Sequence, residues 1–300
     1  MTPEARPSFA EQCAALCPRF RASGPAHRAR KSELLAGELD GAPVIAKRLL
    51  RPNVVWEWYL AREIAIYRAF AASPPPIRVP RFVAASDDVL VIERLLGAPV
   101  AKLRRPRAEL TTETVRSMIE LHDRLAAWPG RFPDDPSPPR VRSQLRQRLL
   151  EDPTAPIEWV RAGIGRCGAR GYFGEATQAA LDALAGHCPI ASSHGDLLLR
   201  NAIAMPDREV GLVDWECAGP HVADWDLALL WTQLAPEARG PIDDVVGGGA
   251  RLRAFLALVA FAFAREIAFL EVYRVAPQHR GMIEVREELT RALGRLADSR

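Results

Sequence analysis

Three hundred residues, 48% apolar and 26% charged, describe a globular chain long enough for two packed lobes and exclude a disordered or collagen-like polymer. Forty Lys plus Arg against 37 Asp plus Glu leave a net charge of +3, too small to imply a nucleic-acid or membrane partner. Only Lys31, Lys47 and Lys102 are lysines among those 40 basic residues, so the place of each is informative.

Cys13, Cys17, Cys167, Cys188 and Cys217 are odd in number and scattered, in a chain too large to need staples. They point to a reducing compartment and a cytoplasmic protein. No second ligand pair follows Cys13 and Cys17, so these read as buried thiols rather than a metal site. The N-terminus lacks the apolar core of a signal peptide. The apolar run from Ala254 to Ala264 stops at Arg265 and Glu266, short of the roughly 20 residues that cross a bilayer, and reads as a buried core helix.

In chain order, Lys31 to Glu38 and Pro43 to Leu50 are predicted strands, joined by a turn with the Asp40-Gly41 hairpin signal. Asn53 caps a predicted helix through Phe70, where Val55, Tyr59, Ala61, Ile64 and Tyr67 recur at near-helical spacing. Val79 to Ala84 and Val89 to Glu93 form a second hairpin, and Leu96 to Pro99 a hinge. Thr111 to Trp128 is an amphipathic helix, and Pro129 to Arg140 a proline-rich loop. Further helices are expected near Val141 to Leu150, Glu175 to His187, Asp224 to Leu234, Arg251 to Tyr273 and Ile283 to Ala297. Strands dominate residues 1–94 and helices residues 95–300, with a β insertion near residue 200.

The segment Ser192 to Leu230 carries most of the chemistry. His194, Gly195 and Asp196 are followed after four residues by Asn201, then by short strands at Ala202 to Ala204 and Val210 to Val213, then by Asp214. Phosphoryl transfer needs this set: an Asp that orients the acceptor hydroxyl and takes its proton, and an amide oxygen and a second carboxylate that hold Mg²⁺ against a triphosphate. The HGD and Asn spacing arises by accident in roughly one in a thousand chains of this size, which favours chemistry over a core histidine, a turn-forming Asp196 and a strand-end cap at Asn201.

HGDLLLRN, then GLVDWECAG and DWDLALL, resembles the aminoglycoside phosphotransferase and choline kinase group, relatives of the protein kinases. The resemblance implies an α+β, bilobal protein-kinase-like fold, with a small β-rich N-terminal lobe bearing one helix and a larger, mostly helical C-terminal lobe. It makes Asp196 the catalytic base and Asn201 and Asp214 the Mg²⁺ ligands, with His194 and Gly195 shaping the loop. Asp226 becomes a carboxylate steadying that loop, or else an acid favoured at a helix N-terminus. The lysine that meets the nucleotide phosphates is Lys47, in PVIAKRLL, although strand alternation leaves its face open. Its partner is Glu63, with Glu57 on the same helix as the alternative. Adenine is expected against main-chain groups of the hinge, Glu93 to Leu95.

Two departures stand out. Leu198 occupies a position where the family commonly has His, so Arg200 either stabilises the γ-phosphoryl charge or is a surface arginine. SGPAHRAR, from Ser23 to Arg30, has Gly24 alone in place of a glycine-rich loop, leaving backbone amides near Ser23 and Gly24 to meet the phosphates. Glu216 replaces the glycine of a DFG motif and reads as a solvated turn residue, with a metal-bound water as its other use. Trp215 reads as packing.

Only about ten residues separate Asp214 from the DWDLALL helix, which disfavours a protein substrate. Pro236 to Arg300 holds nine acidic and ten basic residues, so charge does not select a cationic acceptor. Glu266, Glu271, Glu287 and Glu288 are candidates to line a site, as are Trp159, Tyr172 and Phe173, each with a packing or salt-bridge alternative. The expectation is an ATP- and Mg²⁺-dependent kinase of a small-molecule hydroxyl. The competing class is a nucleotide-binding pseudokinase, favoured by Leu198 and the thin loop, and opposed by the retention of Lys47, Asp196, Asn201 and Asp214.

Overall fold

A computed structural model describes residues 7–28, 31–50, 53–101, 110–133 and 156–299. Lys102 and the expected helix at Val141 to Leu150 lie outside the described residues, as does the loop beyond 133. In chain order the elements are α1 (Phe9–Leu16), β1 (Phe20–Ala22), β2 (His27–Arg28), β3 (Ser32–Leu39), β4 (Ala42–Leu49), α2 (Val54–Ala72), β5 (Phe82–Ala85), β6 (Val89–Glu93) and β7 (Ala98–Pro99). There follow α3 (Thr112–Ala126), α4 (Pro156–Ala169), α5 (Ala176–Gly186), β8 (Ile190–Ser193), β9 (Ala202–Ala204), β10 (Val210–Leu212), β11 (Gly219–Val222), α6 (Trp225–Gln233), α7 (Gly240–Val246), α8 (Gly249–Val272) and α9 (Arg280–Asp298).

Two compact units emerge. One comprises Met1–Ala98, Gly130–Asp135 and Ile203–Cys217, the other Pro99–Pro129, Pro136–Ala202 and Ala218–Arg300. The division therefore differs from a single cut after residue 94. The chain returns to the first unit through β9 and β10, and brings Asp214 and Glu216 with it.

The first unit is an antiparallel sheet in the order β1-β3-β4-β6-β5, with β2 on β3. Asp40 and Gly41 turn β3 into β4 with φ of 55° and 79°, the left-handed geometry that an Asp-Gly hairpin turn demands. Along β4, Val44 and Ala46 enter a core with Phe9, Cys13, Leu35 and Val91, whereas Lys47 points to the other face by the two-residue period. The sequence predicts one helix in this unit; its described residues hold two α-helices. Ser8 and Glu11 cap α1 reciprocally, and α1 supplies Phe9 and Cys13 to the core. On α2, capped by Asn53, burial reaches Trp58, Leu60, Glu63 and Ile66 as well as the expected stripe, although Ala61 is exposed.

In the second unit, α8 is buried continuously from Ala254 to Ala264 and forms the centre of the helical core. A Cβ on Gly163 of α4 would lie 2.3 Å from the Phe261 ring, so only glycine permits that approach. Trp159, Trp225 and Phe261 meet edge-on or tilted, with centroids 4.9–5.8 Å apart. Trp159 and Phe173 are thus core residues and not stacking platforms. Strand β11 pairs antiparallel with β8, Gly219 opposite Ser193 and Val222 opposite Ile190. All five cysteines are free, and no described helix is long and apolar enough to cross a membrane.

Glu288 is buried on α9, where it accepts from Arg239 at 3.0 Å and Arg291 at 2.7 Å. Burial alone would raise its pKa, but the two guanidinium groups outweigh it and hold the carboxyl below its ordinary value of 4.5. That stability is present above pH 4.5 and disappears as pH falls through the lower folded-state value. Glu288→Ala strands a buried guanidinium and should lower stability by about 3 kcal/mol at neutral pH. Urea denaturation across pH should show the difference from the parent shrinking on acidification.

Candidate active site

Lys47 lies in the centre of the sheet, opposite Leu34 of β3 and Leu90 of β6. Its ammonium donates to Glu63 at 2.7 Å and to Asp214 at 2.6 Å, and lies 3.6 Å from Glu216. Glu57 is exposed, so Glu63 is the partner on α2. Burial would push the Lys47 pKa down, yet Asp214, Glu63 and Glu216 outweigh it and hold it well above the ordinary value. The Glu63 carboxyl is pushed up to about 7, chiefly by burial, with Lys47 opposing and Asp214 and Glu216 adding to the rise.

Asp214 reaches this cluster from a strained backbone, with φ of 66°. The turn is held by Trp215, whose indole N–H donates to the Leu212 carbonyl at 3.0 Å and whose fully buried ring meets Phe70 of α2 edge-on at 4.8 Å. Glu216 is buried rather than solvated, a correction to the sequence reading. Lys31 donates to it, and lies 5.1 Å from the Trp56 ring centroid and 5.2 Å from that of Tyr59. Sequence reasoning missed Lys31; the scarcity of lysine was the available signal.

The second unit holds the HGD loop. Asp226, wholly buried at the start of α6, accepts from Ser193 Oγ at 2.6 Å, from the His194 N–H at 2.7 Å and from the Gly195 N–H at 3.0 Å. Gly195 has φ of 79°, which a side chain would oppose, and its carbonyl accepts from the Trp225 indole at 2.9 Å. His194 Nδ1 accepts the Asp196 N–H at 3.3 Å. Asn201 donates through Nδ2 to the Asp196 carbonyl at 3.0 Å. At the far end of α6, Gln233 accepts from the Leu199 N–H at 2.8 Å and donates to the Leu197 carbonyl at 3.1 Å. The sequence analysis does not single out Trp225 or Gln233; a glutamine closing a helix that is mostly apolar after Asp226 is the signal for the latter. Leu198 is buried, lining a small cavity with Leu229, Thr232, Gln233, Ala262, Arg265 and Glu266, while Arg200 is exposed.

The remaining expected positions fall in the first unit. Ser23 donates its N–H to Ala36 at 2.9 Å, and Gly24 is exposed with open space around it. The Glu93 carboxylate accepts from Arg78 and from the Arg81 N–H, while its own N–H donates to the Arg81 carbonyl at 2.9 Å. Leu95 is buried over Gly211, where a Cβ would come within 2.5 Å of its side chain. Among the acids considered for an acceptor, Glu271 accepts from Tyr172 and Arg286, and Glu288 is the buried partner of Arg239.

As for a cation, carboxylate oxygens of Glu63, Asp214 and Glu216 lie within 4.8 Å of one another. Within the second unit, Asn201 has its nitrogen on the Asp196 carbonyl and keeps an amide oxygen with acceptor lone pairs. Hard oxygen donors of this kind fit Mg²⁺.

The sequence model of the phosphotransferase enzyme family matches residues 37–261, and the chain belongs to that family. An uncharacterised protein of Deinococcus radiodurans is 38% identical over 140 residues, 42% of this chain and 37% of that protein, so the match spans little more than a third of the relative's length. Similar solved structures include the macrolide 2′-phosphotransferase MphH of Brachybacterium faecium, at 16% identity and a TM-score of 0.59, covering 94% of this chain and 96% of that one. A ternary complex of aminoglycoside phosphotransferase APH(4)-Ia with ADP and hygromycin B has 14% identity and a TM-score of 0.60, over 96% and 98% of the two chains. Choline kinase LicA of Streptococcus pneumoniae has 13% identity and a TM-score of 0.60 over the same shares. These likenesses show the protein-kinase-like fold.

Asp226→Asn should set an amide N–H against N–H donors and cost about 3 kcal/mol. Thermal denaturation should show the loss, and hydrogen exchange should show faster exchange at the His194 and Gly195 amides.

Proposed function

We propose that the protein transfers the γ-phosphoryl group of ATP, with Mg²⁺, to a hydroxyl of a small molecule. The observation that carries this reading is Lys47, gripped by one acid from α2 and by another 167 residues further along the chain. Nothing in a purely structural sheet requires a charged amine at that point. The ADP and hygromycin B complex of APH(4)-Ia supports a nucleotide and a hydroxylated acceptor, and macrolide and choline kinases widen the class.

In this reading Lys47 neutralises the α- and β-phosphates and Glu63 fixes its direction. The base of the nucleotide pairs with the main chain of Glu93 to Leu95, and amides near Ser23 and Gly24 meet the phosphates. Asp196 accepts the proton of the acceptor hydroxyl as its oxygen bonds to the γ-phosphorus and the bond to the β-γ bridging oxygen breaks, releasing ADP. Asn201 and Asp214 would hold Mg²⁺, which supplies charge neutralisation on the phosphoryl oxygens. His194 and Asp226 keep the loop in shape. Arg200, the exposed cation of that loop, meets the charge on the transferring group, a task that buried Leu198 has no donor to perform. The five free thiols support a reducing, cytoplasmic setting.

Incubation with ATP, Mg²⁺ and a panel of amino sugars, macrolides and amino alcohols, read by mass spectrometry, tests the reading. Asp196→Ala and Asp214→Ala should each lower transfer by about a thousandfold or more. Parent-like turnover in either variant overturns it, and nucleotide binding by the parent without transfer to any acceptor favours a pseudokinase. Arg200→Ala should lower turnover about a hundredfold with little change in nucleotide affinity; unchanged turnover removes Arg200 from the mechanism.

A further inference from the structure

Lys31 and Lys47 are two of only three lysines among 40 basic residues, and both meet the same group of carboxylates. Arginine serves almost everywhere else. An ammonium is a compact point charge with three rotatable donors, which it can turn from carboxylate to phosphate oxygens in a confined place. Lys31 closes the segment between β1 and β3, where a glycine-rich loop would cradle phosphates and where this chain offers Gly24 alone. It stands directly before β3, the strand hydrogen-bonded to β4 with its Lys47.

Three further features separate Lys31 from an ordinary salt bridge. Its side chain is 24% exposed against 12% for Lys47, so it is the cation of the pair more open to an incoming anion. The faces of Trp56 and Tyr59 hold its ammonium at 5.1 and 5.2 Å, a support that does not depend on Glu216. Three carboxylates, of Glu63, Asp214 and Glu216, also gather around the two lysines. Glu216 lies between both ammonium groups, donated to by Lys31 and 3.6 Å from Lys47, and so is the carboxylate free to change partners when a cation arrives with the nucleotide.

We infer that Lys31 is a second phosphate-binding residue of the nucleotide site, which exchanges Glu216 for phosphate oxygens and does part of the work of the missing glycine-rich loop. This inference rests on the kinase reading above. No bond is made or broken in the exchange; one ion pair replaces another.

Calorimetric titration with ATP and with adenosine, both in Mg²⁺, separates the possibilities. Lys31→Met should weaken ATP about tenfold or more and leave adenosine unchanged, and Lys31→Arg should recover most of the loss. Glu216→Gln keeps the cation and removes its competitor, so ATP without Mg²⁺ should bind as tightly as to the parent, or more tightly. The inference falls if Lys31→Met binds ATP like the parent, if ATP and adenosine weaken in equal proportion, or if Glu216→Gln reproduces the Lys31→Met loss. A parent protein that binds neither ATP nor adenosine brings down the kinase reading itself, a result distinct from all three.

Discussion

An ammonium ion removed from water costs several kcal/mol unless anions surround it, and the first unit is built to surround one. The period of β4 sends Val44 and Ala46 into the α1 side of the sheet, and so forces Lys47 to the other side. There α2 supplies Glu63, and the return of the chain through β10 supplies Asp214. The left-handed backbone at Asp214 costs about 1–2 kcal/mol, which the ion pair with Lys47 and the burial of Trp215 offset. The same geometry that settles the charge therefore also fixes the direction of the carboxylate.

The second unit solves a different problem, how to hold a polar loop still without embedding it. Helix α6 does so from one side, with Trp225, Asp226 and Gln233 together engaging main-chain groups from His194 to Leu199. Every one of these contacts is to backbone or to a small hydroxyl, and none uses the side chain of Asp196 or Arg200, while Leu197, Leu198 and Leu199 anchor the loop in the core. Rigidity of the loop is thus supplied from the helix.

What the sequence made legible followed from short-range rules. The Asp-Gly turn and the caps at Asn53 and Thr111 each depend on residues a few positions apart, and each appears where expected. What escaped depends on distant partners. Gly163, Gly165 and Gly168 depress helix propensity in α4, and only the ring of Phe261, almost a hundred residues away, explains the first of them. Strands β8 and β11 are four residues each and carry Ser, Pro and His in place of an apolar alternation. Glu216 reads as a turn residue until Lys31, 185 positions earlier, is placed beside it.

The pairing of β11 with β8 has a consequence for control. In a kinase whose segment after the metal-binding acid is long and loose, a modification there can throw the enzyme on or off. Here that stretch leaves Cys217 and enters a ladder at once, with Gly219 fixed against Ser193, the residue that leads into the loop. It has no slack to gain or lose. A modification in that stretch would have to break the ladder before it could move the loop.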